Sequence, residues 1–105
     1  MGATLNVADE KDGYTIADRG TYLVRKKSLT LEILVEKDQA LLNVYHVIRV
    51  NPQKSSKINA AGAQAFADFM LAPATQKIIG EFGVDRFGAP LFFPDAGKDD
   101  EESGR

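Results

Sequence analysis

The sequence predicts an α/β fold, a mixed sheet flanked by helices, and three observations carry it. Residues 29–35 and 44–50 alternate their apolar positions with the period of a strand. Residues 60–71 and 73–82 instead repeat them at helical spacing. Between them in kind, residues 14–17 read as a short strand that stops at Asp18 and opens directly into a helix.

Taken in order, residues 1–12 are helical in pattern. Leu5, Ala8 and Met1 fall on one stripe, Asp9, Glu10, Lys11 and Asp12 crowd the end, and Gly13 stops the helix. A helix that starts at residue 1 without a preceding cap fits the middle of a longer chain better than its beginning. Asp18 is a good N-cap for the next helix, over 19–27, because its carboxylate can accept a backbone N–H of the first turn. Free N–H donors, a positive helix end and the Arg19 guanidinium are the ingredients of a small anion site. A capped turn with a solvated arginine explains the same residues. Tyr22 and Leu23 mark the buried side of this helix. Arg25, Lys26 and Lys27 lie in its last turn, where cations suit the negative end, and read as solvated rather than as a nucleic-acid patch.

In the strand over 29–35, Leu29, Leu31, Ile33 and Val35 share one face, and Leu34 makes the other partly apolar. Residues 36–38 turn, and 39–43 are long enough for one helical turn. In the third strand Val44, His46, Ile48 and Val50 share a face opposite Tyr45, Val47 and Arg49. Large apolar groups on both faces argue for a central position between two layers. His46 is either a partly buried, hydrogen-bonded strand residue or a ligand, and no Asp, Glu or second His stands near it to favour the latter. Asn59 caps the helix over 60–71, whose buried stripe is Ala63, Phe66, Ala67 and Met70. Pro73 starts the helix to residue 82, with Ile78, Ile79 and Phe82 apolar, and Gly83 ends it. This hairpin is expected to cover one sheet face. Residues 87–94, aromatic and proline-bounded, are expected to lie extended against the body, and 97–105 to form a disordered acidic tail.

Composition narrows the function. The 105 residues allow one domain, with 44% hydrophobic and 27% charged residues. A net charge of −2 gives no support for a nucleic-acid surface. Cysteine is absent and His46 is the one histidine, so neither thiol chemistry nor a zinc site of the usual ligands is expected. Asp9, Glu10, Asp12 and Asp18 could line up around a metal, but a charge-rich helix end explains the first three. No phosphate-binding glycine loop, nucleophile–base pair or split carboxylate pair stands out, which leaves an enzyme as the weakest class and implies no cofactor. No apolar run approaches a membrane span and no secretory signal is visible; Asn6 stands where a myristoylation motif needs Ser or Thr.

The strings themselves say more. Met1-Gly2-Ala3-Thr4-Leu5, then Tyr14-Thr15 through Asp18-Arg19-Gly20-Thr21-Tyr22, resemble the second half of tungstate-binding proteins of ABC uptake systems. The resemblance continues through Leu42-Asn43-Val44-Tyr45, Val50-Asn51-Pro52, Gly62-Ala63-Gln64-Ala65-Phe66 and on to Ala96, in order. Ala17 departs from it where Ser or Thr is common, which is one hydroxyl donor fewer, and Val44 where Pro is common. The resemblance implies a type II periplasmic binding-protein architecture, with an oxyanion held between two α/β lobes. This chain would be a three-layer fragment of that fold over residues 1–96. Its share of the anion cleft would be Met1, Gly2, Ala3, Tyr14, Asp18 and Arg19, with Arg19 the leading charged contact.

Family members are more than twice this length, and their Thr/Ser-rich first binding loop and an Arg-Gly-Asp-containing stretch precede the point where the resemblance begins. Two expectations follow. The chain is a tungstate- or molybdate-binding component that works with an ABC permease, periplasmic in its parent receptor, binding weakly or not at all by itself. Alternatively it is a non-binding fragment or remnant that self-associates, expected as a homodimer and cytoplasmic if it is the full translated product.

Overall fold

Helix α1 (Gly2–Glu10) turns back at its end because Asp12, not Gly13, adopts the left-handed conformation, at φ 50°. The Gly13 amide then reaches the Ala8 carbonyl at 2.8 Å and the Asp12 amide reaches Asp9 at 3.3 Å. That pair of bonds is a Schellman closure, with aspartate where glycine is usual. The computed structural model describes residues 1–99. Residues 13–18 lead to α2 (Arg19–Arg25), which packs on α1, and a 3₁₀ turn (Lys26–Ser28) replaces the expected end of that helix. Leu5 and Ala8 of α1 and Tyr22 of α2 are buried at this contact.

The second helical group behaves as its punctuation predicts. The Asn59 side chain accepts the Gly62 amide at 2.8 Å and opens α3 (Ala60–Leu71); Pro73 opens α4 (Pro73–Glu81). The two pack as a hairpin. Gly83, at φ 90°, swings the chain into a short α5 (Val84–Phe87) that the periodicity did not foretell. Of the expected α3 stripe, Ala67 is buried and Ala63 and Met70 are half-buried, whereas Phe66 is exposed. Helical spacing identifies the apolar face, and among the described residues nothing covers Phe66.

Residues 88–94 clasp the two groups. Leu91 is buried, and its amide bonds the Phe82 carbonyl at 3.0 Å. Phe92 meets Tyr45 edge-on at 6.2 Å and stacks with Phe82 at 6.3 Å. Farther on, the Ala96 amide bonds Gln76 Oε1 at 3.1 Å, and Lys98 pairs with Asp95 at 3.1 Å, so the expected disordered tail begins as an anchored turn. The rest of that tail, residues 100–105, lies outside the described residues.

The expected sheet is not formed among the described residues. Residues 14–17, 29–35 and 44–50 are neither helical nor laddered, although the residues that bound them are extended (Leu29 φ −116°, ψ 146°; Asn51 φ −62°, ψ 119°). A ladder needs a neighbour, and no described backbone group meets those of residues 32–37 or 43–50. His46 is consequently exposed rather than partly buried. Of residues 39–43, a 3₁₀ turn (Gln39–Leu41) forms, capped by Asp38. The radius of gyration, 17.3 Å, exceeds the roughly 13 Å of a compact domain this size.

Candidate functional site

The first turn of α1 presents bare donors. Its N-cap, Met1, makes no side-chain cap bond, and the first turn holds no acidic residue. The Gly2 and Ala3 amides precede any intrahelical acceptor, and the partial positive charge of the helix end sits on them.

A second positive group lies beside that turn. Arg25 leaves the last turn of α2 and reaches back over α1, where its Nη2 donates to Asn6 Oδ1 at 2.8 Å. A Cβ at position 2 would stand 2.8 Å from Arg25 Nη1, so the absence of a side chain on Gly2 is what lets the guanidinium settle there. Arg25 Nε is buried with no hydrogen-bond partner. The expectation of a solvated Arg25 therefore fails: the side chain is half-buried, with a donor left over. A buried unsatisfied donor on a cation is costly, and next to a bare helix amino-terminus the site lacks negative charge.

The Asp18–Arg19 junction is built differently. Asp18 Oδ1 accepts the Thr21 amide at 2.7 Å and Oδ2 accepts the Thr21 hydroxyl at 2.8 Å. The Thr21 amide bond, foremost, holds the Asp18 carboxyl below its ordinary pKa. Arg19 donates to the Pro90 carbonyl and lies over the Phe93 ring, 5.1 Å from its centroid. A carboxylate already fills the amino-terminus of α2, and the guanidinium is spoken for.

The six residues singled out by the sequence thus divide. Ala3 and Tyr14 line one open groove of about 490 Å³ between α1 and residues 13–15, with Thr4, Val7, Ala8 and Lys11 along its helical wall. Met1 and Gly2 sit at the start of that same helix, and Asp18 and Arg19 do not line the groove. Tyr14 is 90% exposed, the most open of the large hydrophobic side chains among the described residues. Arg25 is the residue that sequence reasoning missed. Gly2 and Asn6, one helical turn apart, were the available signal: a smallest residue and an amide on one face leave room and a partner for a long cation.

Asp9 serves the fold. Its Oδ1 accepts the Thr30 amide at 2.8 Å, the Thr30 hydroxyl at 2.7 Å and the Leu31 amide at 3.2 Å. The Thr30 hydroxyl bond, foremost, lowers its pKa. Tyr22 adds a bond from its hydroxyl to the Leu31 carbonyl at 3.0 Å, so residues 30–31 are pinned to the helix pair. Among the described residues no three His, Cys, Asp or Glu side chains gather as a metal site, and no helix is long and apolar enough to cross a membrane.

Comparison with known proteins gives the family. A family described as a PBP superfamily domain matches residues 1–74. The chain is 55% identical over 98 residues to the tungstate-binding protein TupA of Peptoclostridium acidaminophilum, covering 93% of this chain and 34% of that one. It is 34% identical over 100 residues to the tungstate-binding protein TupA of Campylobacter jejuni, covering 91% of this chain and 36% of that one. The chain therefore spans about a third of the length of the curated relatives it matches. No solved structure matches it. With the family match running through α1, α2 and the whole of α3 into the start of α4, the chain belongs to the PBP superfamily.

Proposed function

We propose that this chain supplies one wall of an oxyanion cleft, for tungstate or molybdate, in the substrate-binding component of an ABC uptake system. The observation that carries it is the bare amino-terminus of α1 beside the half-buried Arg25, whose Nε has no partner. A tetrahedral dianion matches that need: the Gly2 and Ala3 amides supply directed donors, and the helix end and guanidinium supply charge. Met1 carries the carbonyl that accepts the Leu5 amide, and Tyr14 shares the neighbouring groove with Ala3. Asp18 and Arg19 hold the neighbouring junction in shape through Thr21, Pro90 and Phe93. Arg25 thus takes the charged role that the sequence suggested for Arg19. The names of the two tungstate-binding relatives support the ligand class.

In this reading the component captures its anion outside the membrane and presents it to a permease, and it performs no bond-making chemistry. A single wall holds the anion weakly, with a millimolar midpoint. Calorimetric and thermal-shift titrations with tungstate and molybdate test it: heat or stabilisation at millimolar anion is expected, and neither would defeat the reading for this chain.

A further inference from the structure

Asp12 combines features that meet nowhere else in the chain. It is the one aspartate or asparagine followed by a glycine. It holds the left-handed conformation, at φ 50°, which strains a residue that carries a Cβ. Its side chain is exposed and takes no hydrogen bond among the described residues, whereas the carboxylates of Asp9 and Asp18 are held by Thr30 and Thr21. An aspartyl side chain in this setting can close on its own backbone. Gly13 N loses its proton and attacks Asp12 Cγ, the Cγ hydroxyl departs as water, and a five-membered succinimide forms. A water then opens the ring. Entering at Cγ, it restores aspartate; entering at the backbone carbonyl carbon, it leaves the chain running through Cβ and Cγ as isoaspartate. One water leaves and one enters, so the mass is unchanged and no oxidant takes part. Glycine favours the step because a Cβ on the attacking residue crowds the ring closure.

The closing turn of α1 opposes that attack. The Gly13 amide donates to the Ala8 carbonyl at 2.8 Å, and the Asp12 amide donates to the Asp9 carbonyl at 3.3 Å. The nitrogen that must attack is tied into the helix end and comes free only when the last turn opens. Asp9 steadies that turn through its bonds from Thr30 and Leu31. We infer that Asp12–Gly13 is a modification site: an aspartate that isomerises slowly, gated by the last turn of α1, and whose conversion keeps that turn from closing again. Isoaspartate inserts one methylene between α1 and Gly13, so the Gly13 amide loses its register with Ala8. Gly13, Tyr14 and Thr15 form one side of the groove that Ala3, Thr4 and Val7 line on the other, and the groove therefore changes shape as the molecule ages. The inference rests on the closure of α1, not on the anion reading, and its test uses no anion.

The test is a time course of isoaspartate formation at neutral pH, in the folded chain and in the chain unfolded by guanidinium chloride. Trypsin releases residues 12–19, which carry Asp12 and Asp18 in one peptide, and electron-transfer fragmentation tells isoaspartate from aspartate at each. Isoaspartate is expected at residue 12 and not at residue 18, forming about tenfold or more slower in the folded chain than in the unfolded one. Asp9→Ala, which frees the end of α1, should raise the folded rate severalfold. Gly13→Ala controls for the chemistry. Its Cβ would stand 3.7 Å from the Ala8 carbonyl oxygen, an ordinary contact, so the closure should survive while isoaspartate falls severalfold in both conditions. In the purified isoaspartate form, the Gly13 amide should exchange its hydrogen about tenfold or more faster than in the unmodified chain. Conversion of Asp18 as fast as Asp12, or equal rates in the folded and unfolded chain, would overturn the proposal. So would a folded chain in which residue 12 never converts, or an isoaspartate form whose Gly13 amide stays as protected as before.

Discussion

Gly2 and Arg25 share one volume: a Cβ on residue 2 would stand 2.8 Å from Arg25 Nη1 and 3.4 Å from its Cζ. The bare helix end and the guanidinium are neighbours only because residue 2 lacks a side chain. Gly2→Ala should cost little stability, since the obstacle is the far end of a flexible side chain and alanine favours the helix by about 0.5–1 kcal/mol. It should nevertheless displace the guanidinium and weaken tungstate binding. A melting curve and an anion titration on the same variant separate the two effects.

Arg19 and Arg25 should fail in opposite ways. Arg19→Ala removes the bond to Pro90 and the contact with Phe93, which should destabilise the fold by about 1–2 kcal/mol and leave the anion midpoint nearly unchanged. Arg25→Ala should abolish anion binding while shifting the urea midpoint less than Arg19→Ala does. An Arg19→Ala protein that folds normally but loses tungstate would return the charged role to Arg19.

The turn after α4 gives a test of the fold. Gly83 sits at φ 90°, and a Cβ there would meet Leu91 Cγ at 2.7 Å. Gly83→Ala combines backbone strain with a clash against a buried side chain and should cost about 2–3 kcal/mol. Gly88, at φ 76°, has nothing within 4 Å of such a Cβ, so Gly88→Ala should cost only the conformational part, about 1 kcal/mol. Urea denaturation monitored by helicity checks the order.

Acid should loosen α1 from residues 30–31 and uncap α2. Asp9 and Asp18 both have lowered pKa values in the folded chain, through bonds from Thr30 and Thr21. A depressed folded pKa means that the stabilisation is fully present above the ordinary carboxylate value, about 4, and is lost as pH falls through the folded value. Stability measured against pH should therefore decline below about pH 4, and Asp9→Asn with Asp18→Asn should flatten that decline. An unchanged slope in the double variant would show that other groups set the acid response.

Local chemistry was legible in the sequence wherever one residue acts on its neighbours. The caps at Asp18 and Asn59 and the helix start at Pro73 follow from side-chain reach and a fixed φ, and all three stand where expected. The strand pattern of residues 29–35 and 44–50 was equally plain, yet pairing is a property of two segments, and the described residues hold no partner. For the same reason Phe66, in a stripe of correct period, is exposed. Arg25 escaped notice because its direction depends on how α2 crosses α1, a long-range outcome that its place in a Lys- and Arg-rich helix end does not reveal. Asp12 took the left-handed turn that Gly13 seemed made for, a shift of one residue that the spacing alone could not fix.

The most direct measurement is a tungstate titration followed by the backbone amide resonances of the chain. The account predicts saturating shifts at Gly2, Ala3 and Thr4 with a millimolar midpoint, absent in Arg25→Ala and retained in Arg19→Ala. Silent amides at the start of α1, or shifts centred on residues 18–21 that persist in Arg25→Ala, would contradict it.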